Sequence, residues 1–65
     1  MIRYRLFFID DAGHVSGPPN IVQCVDDAAA IELAIRMIDG QDIEVWDAGR
    51  FILRIPHRKA AIALG

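Results

Sequence analysis

A single cysteine, Cys24, among 65 residues excludes a disulfide within the chain, and the two histidines, His14 and His57, are scattered singly rather than at the paired spacing of a structural zinc site. No apolar run approaches the ~20 residues of a membrane-spanning helix. The opening Met1-Ile2-Arg3-Tyr4-Arg5 does not read as a secretory leader, because its basic residues sit inside a strand-like pattern and no small-residue cleavage site follows Leu6-Phe7-Phe8-Ile9. Net charge is only −2, too little for a global field towards nucleic acid or an acidic membrane. Gly13, Gly17, Gly40 and Gly49 stand alone, so no glycine-rich loop cradles a phosphate. These absences lead to the expectation of a cytoplasmic protein without cofactor, metal or membrane contact, and the lone thiol fits a reducing compartment.

What the chain does have is apolar side chains, 54% of all residues. A domain of this size buries only about 60% of the surface its unfolded chain exposes, and with neither disulfide nor metal as a staple its margin of stability is thin. The apolar excess leads to the expectation of a homo-oligomer, a dimer in the simplest case.

The triplet Asp-Ala-Gly occurs twice, at 11–13 and 47–49, each time between apolar runs, with one amphipathic segment between the copies. Each copy suits a three-residue hairpin loop that a left-handed glycine closes. In the first strand Tyr4, Leu6 and Phe8 share one face, and Arg3, Arg5, Phe7 and Ile9 the other. Both faces carry apolar groups, as expected of a central strand or of one that meets another subunit. The return strand begins at His14-Val15-Ser16, is interrupted by Gly17-Pro18-Pro19-Asn20, and resumes at Ile21. Asp26 is an apt N-cap for a helix over 27–39 that Gly40 ends as the C′ residue. Its apolar sector, centred on Ala34, is wide enough to leave Leu33 or Ile35 at the edge.

With 47–49 as a three-residue loop, Trp46 pairs with Arg50, Val45 with Phe51, Glu44 with Ile52, Ile43 with Leu53 and Asp42 with Arg54. Ile43, Val45, Phe51 and Leu53 then face the helix, and Trp46, Arg50, Ile52 and Arg54 point away from it. The expected fold is α+β, ββαββ: a small antiparallel sheet with one amphipathic helix packed on one face, built from residues 1–56. Residues 57–65 form a tail or a short helix.

Trp46, Arg50, Ile52 and Arg54 make the most suggestive surface group, since Trp and Arg concentrate binding energy at interfaces. The alternative is a cation–π pair that covers its own sheet. Arg58 and Lys59 extend a basic cluster that suits phosphate, with a solvated terminal segment as the plainer reading. His14, Ser16 and Asp10 or Asp11 have the residue types of a catalytic triad, but side chains at i and i+2 of a strand project in parallel about 7 Å apart, outside hydrogen-bond reach. Cys24 reads as a small buried hydrophobe. The chain is therefore expected not to be an enzyme.

Tyr4-Arg5-Leu6-Phe7-Phe8, Asp11-Ala12-Gly13-His14, Gly17-Pro18-Pro19 and Asp26-Asp27-Ala28-Ala29-Ala30 together resemble very short uncharacterised proteins of rhizobia and related alphaproteobacteria, over about residues 4 to 55. That resemblance implies a bacterial cytoplasmic protein with strand–strand–helix–strand–strand order, and no catalytic residue. Tyr4, Asp11, Gly13, Pro18, Asp26 and Ala29 also fall where the N-terminal domain of HicB-type antitoxins has comparable residues. This second resemblance stops short of that family's C-terminal DNA-binding segment, so it implies the N-terminal fold and not repression. The expected function is a small interaction module that binds its own kind, or a protein partner, through an uncovered sheet face or edge. A weak single-stranded nucleic-acid or antitoxin-like regulatory binder is the alternative.

Overall fold

The computed structural model describes residues 1–57. Strands β1 (Ile2–Ile9) and β2 (Asn20–Cys24) precede helix α1 (Asp27–Met37), and β3 (Asp42–Asp47) and β4 (Arg50–Ile55) follow it. The strands form one antiparallel sheet in the order β2-β1-β3-β4, so this is the expected ββαββ architecture with β1 in the interior. Of the tail or helix expected over 57–65, residues 58–65, Arg58 and Lys59 among them, lie outside the described residues.

Tyr4 and Leu6 of β1 and Ile43 and Val45 of β3 alternate onto one face, where all four are fully buried. Helix α1 meets them through Ala30 and Ala34, with Leu33, Met37, Ile38 and Leu53 packed around the rim. The carboxylate of Asp26 accepts from the amide of Ala29 at 2.9 Å, the capping expected of it. At the other end the helix stops two residues early. Ile38 is the C-cap, its amide donating to the Ile35 carbonyl, and Gly40 (φ 78°) takes its left-handed turn in the connection to β3 rather than at C′. Ile35 is the residue left exposed.

The two Asp-Ala-Gly copies make different turns. In the first, Gly13 is left-handed (φ 85°), the amide of Asp10 donates to the His14 carbonyl, and the Asp10 carboxylate accepts from the amides of Ala12 (3.0 Å) and His14 (2.9 Å). This is the expected three-residue loop, stapled by the acid in front of it. The return strand bridges at Ile9–Val15, breaks at the prolines and resumes at Asn20.

In the second copy Asp47 pairs with Arg50, leaving only Ala48 and Gly49 in the loop, and the left-handed residue is Ala48 (φ 54°). Trp46 then opposes Phe51, not Arg50, and a bulge beyond this pair sets Val45 against Leu53, Glu44 against Arg54 and Ile43 against Ile55. The physical reason lies at the position before the triplet. Asp10 holds two loop amides, whereas the indole of Trp46 has no acceptor for them, so the shorter loop wins at the expense of strain in Ala48.

The two triplets should therefore want glycine at different positions, the third in the first copy and the second in the second. Ala48→Gly relieves a left-handed alanine and should raise stability by about 0.5–1 kcal/mol. Gly13→Ala meets no neighbouring atom but is strained by its φ, and should lower stability by about 1 kcal/mol. Urea denaturation of the two variants checks both signs.

Candidate functional site

Strand alternation that buries Tyr4 and Leu6 under the helix turns Arg3, Arg5 and Phe7 to the opposite face. There the pairing sets Arg5 between Ile21 of β2 and Trp46 of β3, and Trp46 beside Phe51 of β4. The Trp46 ring stands edge-on to Phe51, with centroids 5.3 Å apart, and to Phe7, at 6.3 Å. Its Nε1–H donates to Glu44 Oε1 at 3.0 Å, which fixes the indole's orientation. Phe7, Val15, Glu44, Trp46 and Ala48 line a shallow hollow of about 300 Å³. Val15, Ile21 and Phe51 are each about half exposed around it.

Of the four residues the sequence singled out, the structure keeps Trp46 and Arg54 on this face and moves the other two. Arg50, opposite Asp47, reaches to the helix side, where it grips Asp27 with two bonds (3.0 and 3.2 Å) and Asp47 with one (3.2 Å). Ile52, at the bulge, is half-buried against the core. Phe51, expected inside, is on the outer face beside Trp46 because the loop is one residue shorter than expected. The cation paired with Trp46 across the strands is thus Arg5 of β1, a neighbour that only the β1–β3 pairing reveals.

Arg54 is held at the end of the face. Its Nε and Nη2 lie 3.1 and 3.0 Å from Asp42 Oδ2, with Glu44 farther off at 3.9 Å. Asp42 Oδ1 accepts from the backbone amide of His57 at 2.9 Å and lies 2.7 Å from its ring Nδ1. The two bonds from His57, followed by Arg54, hold the Asp42 carboxyl down at about 2. These groups and Ile9, Asp10, Asp11 and Pro56 line a second hollow of about 270 Å³. Among the described residues no group of three or more His, Cys, Asp or Glu side chains is placed to hold a metal ion.

On the covered side, the buried hydroxyl of Tyr4 donates to Asp27 Oδ1 at 2.7 Å. Burial and that bond push the phenol up to about 12, while Arg50 and then Tyr4 hold the Asp27 carboxyl below its usual range. Of the residues weighed for nucleophilic or metal chemistry, His14 and Ser16 are exposed on the first hairpin and Cys24 is buried in the core. No described helix is long and apolar enough to cross a membrane.

No protein-family model, curated protein or solved structure matches the chain.

The carboxyl and phenol shifts carry signs that a pH titration reads. Folded Asp42 binds a proton less readily than the unfolded carboxyl, so its contribution is complete above about pH 4 and is lost as pH falls through about 2. Asp42→Asn should flatten this acid limb of the stability curve. Tyr4 is the only tyrosine, and its phenolate absorbance should rise with a midpoint near 12 rather than 10 for as long as the chain stays folded. Tyr4→Phe leaves Asp27 short of a donor, and its thermal midpoint should fall by about 4–8 °C.

Proposed function

We propose that this chain is a non-enzymatic interaction module whose working surface is the helix-free face of its sheet, and that it associates with its own kind there. The observation that carries this reading is the aromatic cluster Phe7, Trp46 and Phe51, flanked by Val15, Ile21 and two outward arginines, with no described element packed over it. Rings, aliphatic side chains and arginine are the composition of interface centres.

The face is favoured over the edges. The edge strand β2 spans five residues and follows a Gly-Pro-Pro break, and the edge strand β4 carries the bulge and two arginines and is followed by Pro56. Short length, charge, bulges and proline are the features that blunt strand-to-strand addition.

A second reading, single-stranded nucleic-acid binding, has one observation in its favour. Neither Arg3 nor Arg5 has a carboxylate within ion-pair distance among the described residues, and Arg5 is paired across the strands with Trp46, a ring able to stack on a base. Arg50 and Arg54 no longer support it, since both are engaged by aspartates.

Sedimentation from micromolar to millimolar concentration tests the main reading. The protein should associate, and the emission of its sole tryptophan should shift to shorter wavelength as Trp46 is covered. Phe51→Ser should weaken association at least tenfold, whereas Ile35→Ser, on the exposed side of the helix, should leave it unchanged. A chain that stays monomeric throughout, yet whose Trp46 emission is quenched by short RNA at low salt and not at high salt, would assign the face to nucleic acid instead.

A further inference from the structure

We infer that the occupant of the helix-free face is a second copy of the chain, packed about a two-fold axis that runs along the strands between β1 and β3, so that Arg5 of each copy lies against Trp46 of the other. The inference rests on the reading of that face as the working surface and adds the contact that specifies the partner.

Across the sheet one outward row runs Ile21, Arg5, Trp46, Phe51 from β2 to β4. An axis between the two middle strands reverses the row in the second copy. Arg5 then meets Trp46 twice, and Ile21 meets Phe51 twice. A two-fold interface must be complementary to itself, and this row is, with cation on indole and aliphatic on aromatic at both ends. The other in-plane axis, across the strands through the same row, stacks Arg5 on Arg5, and like charges in apposition oppose association.

The charges agree with the first arrangement. Arg5 has no acidic partner within its own chain among the described residues. Glu44, bonded to the Trp46 indole and only 3.9 Å from Arg54, offers an acidic neighbour to a guanidinium arriving on the ring. Arginine suits the position because its weakly hydrated plane gives up water readily and lies flat on an aromatic face.

Two experiments on the full chain test the contact. In sedimentation, Arg5→Ala and Trp46→Ala should each weaken self-association about tenfold, since each removes both cation–π contacts. Mixed together, the two variants keep one intact contact and should bind each other about threefold more tightly than either binds itself. In the second experiment, a nitroxide on Arg3→Cys, with Cys24→Ala, is mixed with ¹⁵N-labelled unmodified chain. It should broaden the amides of Ala48 and Gly49 across the axis, a readout that does not depend on Trp46→Ala folding. Association that falls in both variants without recovery in the mixture, or broadening centred on another segment, overturns the contact while leaving self-association in place. A monomer at millimolar concentration overturns both.

Discussion

The hydrogen bond from the buried Tyr4 hydroxyl to Asp27 sets the outward surface of this protein, although it lies on the opposite side of the sheet. A phenol hydroxyl removed from water must find an acceptor, and the first turn of α1 supplies the carboxylate 2.7 Å away. Fixed there, Asp27 is also where Arg50 goes, with Asp47 as a second acceptor. Once Arg50 stands on the helix side, strand alternation sends Phe51 to the other side, against Trp46. The bulge then returns Leu53 and Ile55 to the core. The Arg50 pair is exposed and weak as an energy term. Its place on the helix side goes with the two-residue loop, which leaves Phe51 rather than Arg50 on the helix-free face.

Local signals carried most of the architecture. The alternation of Tyr4, Leu6 and Phe8, the proline break, the Asp26 cap and the helical periodicity around Ala34 each follow from a few neighbouring residues, and each is in the structure. What was not legible is non-local or turns on a single side chain. Two identical triplets close differently because an aspartate precedes one and a tryptophan the other. Arg50 answers to an acid 23 residues away. Arg5 and Phe7 become neighbours of Trp46 only because β3 lies beside β1, and strand order is not encoded in any local pattern. Trp46 therefore stands on the helix-free face as its alternation implies, but the arginine paired with it is Arg5 and not Arg50.

The way the helix docks explains why one face is left over. Ala30 and Ala34 are its fully buried residues, and small side chains let an eleven-residue helix, about 16 Å long, lie close along one side of the sheet. Among the described residues no second element packs on the other side. The apolar excess of the composition is thus split, with the core taking Tyr4, Leu6, Ile43, Val45 and Ile55 while Val15, Ile21 and Phe51 remain half exposed on the outer face.

Such a face has to be compatible with water while the chain is alone, and arginine at position 5 meets that condition in a way lysine does not. An ammonium on the same strand would keep the single chain soluble, but it holds its hydration tightly and resists burial against a ring. A guanidinium serves both states: it interrupts the apolar row between Ile21 and Trp46 in the free chain, and its plane is a surface on which an indole can lie. On the self-association proposed above, the residue that keeps the uncovered sheet from aggregating indiscriminately is also the one that selects its partner.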